Sequence, residues 1–398
     1  MSSLDELPFI NVTASEHYTA DPVATLNAAR KVSPIIRSDR GIEILSHRLG
    51  QMVLRDRRLG ADHLRLVEHI GIPEGPVLDF KRRMLLGQEH NERRTRIRRI
   101  MVRYFGAGQV AAMRATVRRL VDELLDDIGP TPAADILGKL CMILPARLYC
   151  EWIGAPKQDA PFVSRLSDQV LEIFNHNPGS TASIVSGYSE LFPYVAERIA
   201  YGRGHPGDNI LSALISDHAN GELSDDELFD FVTMLLEAST DNTANQLALT
   251  LALVIGSPGA WEGVKSDATL IPTAVQESVR MCSRTITNQR YGAEDFEIDG
   301  VTVPNGTAIN VVVWAAHNDP AAFMHPDVFD IHRRDVSRTL TFGGGAFSCL
   351  GQHIAEIEIQ ETISAIATRF PNASVSSFRK EHNPFAATAL ELKLDLRR

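Results

Sequence analysis

Apolar side chains recur at helical spacing through most of the chain. A short amphipathic pattern covers residues 20–32, a longer one covers 88–128, and another covers 350–368. Positions three and four apart share one face of an α-helix, so each pattern predicts a helix with one buried side. The 88–128 pattern stops before Pro130 and Pro132, which cannot continue a helix. The chain is therefore predicted to be mainly α-helical.

The clearest helical signal begins at Ser224 and ends at Gly256. Ser224 and Glu227 form a capping-box pattern, and Gly256 followed by Pro258 marks the stop. The helix between them would have roughly 30 residues and a length of ~45 Å. Its residues are apolar on nearly every side, which is typical of a helix buried at the centre of a protein. The pattern predicts one long central helix.

Alternating and β-branched runs predict small β-sheets beside the helices. Residues 33–46 match two short strands around a glycine turn. Residues 295–320 match a small sheet that turns at Pro304, Asn305 and Gly306. The alternating run at 390–396 predicts an edge strand. The predicted fold class is mainly α with small β-sheets.

Composition indicates a soluble globular protein. The 398 residues are 44% hydrophobic and 23% charged, and no Ser/Gly-rich linker or repeat interrupts them, so we expect a single domain over residues 1–398. A net charge of −10 disfavours general nucleic-acid binding. Residues 1–22 contain neither a signal-peptide core nor a membrane anchor, so we expect a cytoplasmic, monomeric protein without a membrane role.

One of the cysteines has unusual surroundings. Cys141, Cys150 and Cys282 lie in apolar helical patterns, as inert free thiols do, and no CxxC pair suggests a zinc or iron–sulfur site. Cys349 instead follows the glycine-rich stretch 341–347 and precedes a predicted helix. Free N–H groups at a helix start lower the pKa of a thiol, and glycines let the backbone approach closely. The pattern favours a shielded thiolate that binds a metal.

The stretch "FGGGAFSCLG", residues 342–351, resembles the haem-binding signature of the cytochrome P-450 family. The match rests on Phe342, Gly343, Cys349 and Gly351. The resemblance implies a cytochrome P-450 fold in which a heme b lies between the long central helix and the helix that follows the cysteine loop. It also implies that the Cys349 thiolate is the axial ligand of the haem iron.

Other motifs of the family follow in the expected order. "ESVR" places Glu277 and Arg280 one helical turn apart, where they can pair, and resembles the ExxR motif on the proximal side of the haem. "HNERR" contains His90 and Arg94 as an HxxxR pair, and Arg290 stands where the family has another arginine. The resemblance implies that His90, Arg94 and Arg290 bind the haem propionates.

The resemblance implies oxidation of a small molecule at the haem. A thiolate opposite the open coordination position favours cleavage of the O–O bond, while the protein supplies the pocket and proton delivery. Electrons would come from a ferredoxin and an NAD(P)H-dependent ferredoxin reductase. The basic run with Arg96, Arg98 and Arg99 would attract an acidic iron–sulfur protein, although a solvated helix face also explains it.

Two positions depart from the family pattern. Phe347 stands two residues before the cysteine, where the signature commonly has His or Arg for a propionate. In "EASTDNTANQ", Asp241 occupies the position of the family's acid, but Asn242 replaces the expected threonine. Thr243 follows one position late, ~100° further round the helix. Asp241, Asn242 and Thr243 are the predicted catalytic residues.

Polar residues at the expected pocket predict a polar substrate. The resemblance places the substrate beside the 62–86 loop, the central helix, the strand at 284–288 and a turn near the C-terminus. The strand has polar residues where the family has a hydrophobic run beside the haem, although a solvated strand would explain them equally. The predicted pocket residues are Leu235, Glu237, Ala238, Arg284, Thr285, Thr287, Asn288, Phe385 and Ala386.

We expect dioxygen-dependent hydroxylation or oxidative coupling of a polar or aromatic molecule of the natural-product type. The missing threonine leaves two alternatives open: radical coupling without oxygen insertion, for instance of cyclic-dipeptide-like substrates, and peroxide-driven oxidation with Arg284 binding a substrate carboxylate. A haem sensor without enzymatic activity is the remaining alternative. Asp241 disfavours it, because a charge inside the central helix is costly unless protons pass there.

Overall fold

Helices form most of the molecule in the computed structural model, which describes residues 4–12, 16–61, 63–83, 92–175, 177–292 and 294–397. Their ends follow local signals: Asp21 caps α2 by accepting a hydrogen bond from the Ala24 N–H at 2.9 Å, and Pro22 takes the first position. The α-helices are α1 (Glu16–Ala20), α2 (Pro22–Val32), α3 (His47–Arg55), α4 (His63–Ile70), α5 (Pro76–Arg83), α6 (Glu92–Phe105), α7 (Ala107–Ile128), α8 (Ile143–Ile153), α9 (Ala160–Leu171), α10 (Thr181–Gly204), α11 (Ile210–Ala219), α12 (Asp225–Ser239), α13 (Asp241–Gly256), α14 (Pro258–Ser266), α15 (Ile271–Met281), α16 (Val313–His317) and α17 (Gln352–Arg369).

The predicted central helix is present but interrupted. It begins with the predicted capping box at Ser224 and Glu227 and ends at Gly256, yet Thr240 separates α12 from α13 with φ −94° and ψ −74°. The hydroxyl groups of Ser239 and Thr240 donate to carbonyl oxygens four residues earlier, at 2.6 and 2.7 Å. Such back-bonding bends helices. The prediction of one continuous helix is therefore wrong at its middle.

Short strands form small sheets, as the alternating runs predict. One sheet has the order β1-β2-β3-β9-β6-β4, a second β10-β11-β5, and a third β7-β8. β3 pairs with β9 in parallel through Ile42 and Ile309, and β6 pairs with β9 antiparallel through Arg290 and Ile309. The strands are β1 (Phe9–Ile10), β2 (Ile35–Ser38), β3 (Gly41–Ile44), β4 (Leu59–Gly60), β5 (Ala134–Asp135), β6 (Thr287–Gly292), β7 (Phe296–Ile298), β8 (Val301–Val303), β9 (Ala308–Val312), β10 (Ser374–His382) and β11 (Ala387–Asp395).

Two details of the sheets differ from the prediction. The β7–β8 hairpin turns at Asp299 and Gly300, with φ of +51° and +82°, and β9 then joins the first sheet instead of pairing with β8. Asp-Gly is a preferred two-residue hairpin turn, so the sequence contained this signal. The run at 390–396 is not an edge strand either, because β11 has β10 on one side and β5 on the other.

The core surrounds the central helix. The largest cluster of buried apolar side chains extends from Val67 in α4 to Leu396 after β11. α17 packs against α7, α13 and α15, which brings the helix after the cysteine loop against the central helix. Within the described ranges, no single helix is long and apolar enough to cross a membrane; Asp225–Gly256 together with Pro258–Ser266 reaches the required length and composition, but these two are bent by 95°.

Candidate active site

The cysteine lies in a tight loop just before α17. A turn of 3-10 helix, Gly345–Phe347, precedes Cys349, and α17 begins at Gln352, so the cysteine is not yet inside the helix. Gly343 and Gly345 have φ of +70° and +60°, a region that favours glycine. The Cys349 N–H donates to the Phe342 carbonyl oxygen at 2.8 Å, which closes the loop on itself.

The Cys349 side chain faces the inside of the protein. It is exposed, yet burial raises the pKa of its thiol, with partial opposition from the Gly351 N–H, the charge of Arg98 and the Gln352 N–H. The thiol is therefore desolvated by neighbouring protein atoms although part of the residue stays accessible. The lowered pKa predicted from the loop is not found, because desolvation outweighs the donors. A cation beside the sulfur, such as a metal ion, would reverse that balance.

Two buried guanidinium groups lie beside this loop. Arg94 on α6 donates to the Ala346 carbonyl oxygen at 2.9 Å, and the Arg290 Nη2 lies 3.8 Å from where a Cβ would stand on Gly343. Burial and the charge of Arg98 lower the pKa of Arg94 to about 10. Burial and the charge of Arg94 lower the pKa of Arg290 to about 10. Neighbouring buried cations suit carboxylate groups such as the haem propionates. His90 lies outside the described residues.

Glu277 and Arg280 form a fully buried pair on α15. Their side chains are 0% exposed, and Arg280 donates to both carboxylate oxygens at 2.7 and 2.8 Å. A further arginine, Arg333, donates to Glu277 at 2.8 Å. Arg333 was not predicted, because no local sequence motif links two residues that are 56 positions apart. The pair is thus part of a buried charge network.

Asp241 begins α13 immediately after the break in the central helix. Its carboxylate accepts hydrogen bonds from Arg284 at 2.7 Å and from Asn245 at 2.8 Å. Asn242 is exposed although the helix around it is buried, whereas Thr243 is buried. Of the two residues, only Asn242 is accessible to a ligand.

Comparisons with known proteins decide the family. The chain is 31% identical to the luteothin monooxygenase of Streptomyces thioluteus over 98% of this chain and 96% of that protein. The chain belongs to the cytochrome P-450 family. The family model for cytochrome P450 matches residues 194–388, and the 6-deoxyerythronolide B hydroxylase of Saccharopolyspora erythraea is 30% identical over 81% of both chains. The solved structure of epothilone B-bound cytochrome P450epoK superposes with a TM-score of 0.88 at 24% identity, covering 96% of this chain and 98% of that one.

Family membership makes this cytochrome P-450 a monooxygenase with a haem iron held by a cysteine thiolate. The residues around the cysteine loop fit that cofactor. The loop carries a desolvated, accessible sulfur, and carboxylates beside Arg94 and Arg290 would balance the charges of these two buried guanidinium groups. A Cβ on Gly351 would lie 3.8 Å from the Cys349 Sγ, in ordinary van der Waals contact with the sulfur.

The predicted substrate-pocket residues of this cytochrome P-450 do not all face open space. Ala238 is exposed and Leu235 is buried on α12. Glu237 is buried, and its two carboxylate oxygens accept hydrogen bonds from Lys81 at 2.8 Å and from the Tyr188 hydroxyl. Glu237 therefore forms an ion pair with Lys81 on α5 and a hydrogen bond with Tyr188 on α10, and these contacts hold both helices to α12.

The polar strand is internally bonded and not solvated. Arg284 is buried, and besides Asp241 it binds the Ala387 carbonyl oxygen at 2.8 Å. The Thr287 hydroxyl donates to the Pro384 carbonyl oxygen at 2.7 Å, and the Asn288 amide donates to the Leu340 carbonyl oxygen at 3.0 Å. Thr285 and Phe385 are half-buried, and the Arg40 guanidinium lies 4.9 Å from the Phe385 ring centre.

Asp168 on α9 was not among the predicted site residues. Asp168 is exposed, yet burial and the charge of Asp241 raise its pKa to about 7, which indicates that its carboxyl lies within electrostatic reach of Asp241. The neighbouring Ser167 hydroxyl is hydrogen-bonded to Thr240, which holds α9 against the helix break. Asp168 lies on an ordinary amphipathic helix, so no sequence motif marks it.

The basic run on α6 divides into residues with different environments. Arg98 is half-buried and donates to the Ser348 carbonyl oxygen at 2.7 Å, beside Cys349. Arg96 is paired with Glu227 at 2.5 Å, and Arg99 is exposed. A surface groove of about 510 Å³ runs beside Arg96 and Arg99 and is also lined by Glu222 and Glu227. Acids therefore neutralise part of the predicted basic run, and Arg98 points inward, so among these three arginines Arg99 is the one without a described acidic partner on the surface.

Proposed function

We propose that Cys349 is the axial haem ligand and that the haem lies between the cysteine loop and the break in the central helix. The Cys349 side chain is exposed on a half-buried loop, and Ala238 and Asn242 are exposed on otherwise buried stretches of α12 and α13. One cavity bordered by both surfaces accounts for this. Arg94 and Arg290, with His90, would then bind the two propionates. A haem bound there, with its iron held by the Cys349 thiolate, would supply the activation of dioxygen.

The reaction that we propose is insertion of an oxygen atom into a polar small molecule of the natural-product type. The observation that supports it is the placement of Asp241 beside Asn242 at the helix break. Arg284 and Asn245 hold the Asp241 carboxylate in one orientation at 2.7 and 2.8 Å, where it can exchange a proton with a water. Asn242, exposed to the cavity, has an amide that can both donate to and accept from that water.

The substrate class follows from the polar groups around the helix break. Asp168 on α9 and Asn242 on α13 are both exposed, and the charge of Asp241, next to Asn242, acts on Asp168. Buried polar groups discriminate strongly against substrates that leave them without hydrogen bonds. A substrate with hydrogen-bond donors, such as hydroxyl, amide or amine groups, suits this cavity better than a plain alkyl chain. The names of the luteothin monooxygenase and the 6-deoxyerythronolide B hydroxylase support oxygen insertion as the reaction.

We propose a ferredoxin, reduced by its reductase, as the electron donor. α6 is the element that reaches the cysteine loop, because Arg94 and Arg98 both bind carbonyl oxygens of residues 346–348. The outer face of the same helix carries the exposed Arg99. An acidic iron–sulfur protein bound there would lie directly behind the cysteine loop, and its association would weaken with salt.

The alternatives are less well supported. Peroxide-driven oxidation required Arg284 to bind a substrate carboxylate, but Arg284 is buried and already binds Asp241 and the Ala387 carbonyl oxygen. Radical coupling without oxygen insertion draws no support from the named relatives, which are a monooxygenase and a hydroxylase. A sensor role does not account for an acid held at the helix break.

The test follows labelled dioxygen into the product of turnover with ferredoxin and its reductase. We expect labelled oxygen in the product. Asp241→Asn should turn over more slowly and give less product per electron consumed. Asn242→Thr should give at least as much product per electron as the wild type. Asp225→Asn is a matched control, because Asp225 is an exposed acid paired with Arg203 at the surface end of α12. Product without label would favour radical coupling. Unchanged electron-to-product yield in Asp241→Asn would remove the proton-delivery role.

A further inference from the structure

Phe347 is the residue whose function the family pattern leaves unexplained. It stands two residues before Cys349, where the signature commonly provides a His or Arg side chain for a propionate. An apolar side chain at this position cannot donate a hydrogen bond. Loss of one propionate ligand is therefore the simplest expectation, and it would leave the haem less firmly held.

The Phe347 ring lies beside both guanidinium groups of the proposed propionate site. The Arg94 Cζ is 4.0 Å from the ring centre, and the Arg290 Cζ is 5.1 Å from it. Both distances are within the range of cation–π interaction. The two arginines come from α6 and β6, almost 200 residues apart in sequence, and this one ring contacts both.

The contacts fix where the guanidinium groups point. Besides the ring, Arg94 binds the Ala346 carbonyl oxygen at 2.9 Å and Arg290 binds the Gln289 carbonyl oxygen at 2.8 Å. Each arginine thus contacts a backbone acceptor and an aromatic face. A His or Arg at position 347 would add a further donor or cation beside two buried cations, whereas a ring adds a negative π surface.

We propose that Phe347 is a positioning residue for haem binding, which orients Arg94 and Arg290 through cation–π contacts so that both can bind the propionates. It does not touch the propionates as an anchor itself. This inference rests on the proposed placement of the propionates at Arg94 and Arg290.

The experiment measures haem loss from the purified holoenzyme to an excess of a haem-scavenging globin. Phe347→Leu keeps an apolar side chain of similar volume but removes the π face. Loss of two cation–π contacts of intermediate strength corresponds to roughly tenfold to hundredfold faster haem loss. Phe347→Tyr keeps the ring and should retain the wild-type rate. Phe370→Leu is the matched control, because Phe370 is a buried ring near Arg369 at the far end of α17.

Haem dimethyl ester, which has neutral propionates, separates positioning from simple packing. If Phe347 acts through the arginines on the propionate charges, the difference between wild type and Phe347→Leu should largely disappear in protein loaded with the ester. An equal difference with both haems would overturn the proposal, because it would indicate packing alone. The propionate bending bands in resonance Raman spectra should also shift in Phe347→Leu and not in Phe370→Leu.

The arginine variants test the underlying site separately. Arg94→Met and Arg290→Met should accelerate loss of haem more than loss of its ester. If they do and Phe347→Leu does not, the inference about Phe347 is overturned while the propionate site stands. If neither arginine variant distinguishes haem from its ester, the propionate site itself is wrong, and the inference falls with it.

Discussion

Removing the Glu277 carboxylate should destabilise this cytochrome P-450 more than the loss of almost any other single charge. Glu277 accepts hydrogen bonds from Arg280 at 2.7 and 2.8 Å, from Arg333 at 2.8 Å and from the Asp330 N–H at 3.2 Å. Its side chain and that of Arg280 are 0% exposed, and that of Arg333 is 5% exposed. Glu277→Ala therefore leaves two buried positive charges without their counter-ion.

The magnitude follows from burial. Breaking one buried ion pair costs ~3–5 kcal/mol, and here one carboxylate serves two arginines, so the upper end of that range is expected. That cost is a large part of a typical free energy of unfolding of about 5–15 kcal/mol. Both arginines retain carbonyl acceptors, such as the His317 oxygen for Arg280 at 2.8 Å, so the loss comes mainly from uncompensated charge. Glu277→Gln, which keeps an acceptor, should lie between wild type and Glu277→Ala.

Urea unfolding followed by circular dichroism, together with haem content per chain, measures the effect. Glu190→Ala is the control, because Glu190 pairs with Arg165 at 2.7 Å while both side chains are more than 40% exposed. Exposed pairs contribute about 0.2–1 kcal/mol. A Glu277→Ala protein that loses no more stability than Glu190→Ala, with normal haem content, would refute this reasoning.

Three further predictions concern the haem ligand, the α9 acid and the partner surface. Cys349→Ala should abolish the red-shifted absorption of the reduced carbon-monoxide complex, and Cys141→Ala should retain it; the opposite result would reassign the ligand. Because burial and Asp241 raise the pKa of Asp168 from 3.8 to about 7, the folded protein binds that proton more tightly than the unfolded chain does, and stability should fall as pH rises between those values. Asp168→Asn should flatten that part of the pH–stability profile, and an unchanged profile would count against a raised pKa of Asp168. Arg99→Glu should slow ferredoxin-supported turnover most at low salt without altering the dithionite-reduced spectrum, whereas equal rates at every salt concentration would place the docking surface elsewhere.

Features with local causes could be predicted from the sequence. The capping box at Ser224 depends on residues three positions apart, and the cysteine loop depends on glycines within a few residues of Cys349. The mainly helical fold class is confirmed, because apolar spacing along each segment determines which face is buried.

Features that depend on contacts between residues far apart in sequence could not be predicted. The break at Thr240 is accompanied by a hydrogen bond from Ser167 on another helix, 73 residues away in sequence. The Asp241–Arg284 pair joins residues 43 apart. The sequence therefore left open that Arg284 binds a substrate carboxylate, whereas in the structure it binds the Asp241 carboxylate. The chain contains no local record of such contacts, because either partner alone is an ordinary polar residue.

The buried contact among Lys81, Glu237 and Tyr188 has a consequence for how the molecule can move. It joins α5, α10 and α12, because each oxygen of the Glu237 carboxylate accepts a hydrogen bond from a different helix. A gradual slide of α10 along α12 would leave a buried charge without its partner, at a cost of several kcal/mol. Opening at this place should therefore be an infrequent, all-or-none event, so that molecules reach the cavity through discrete openings and not through continuous breathing of the helices.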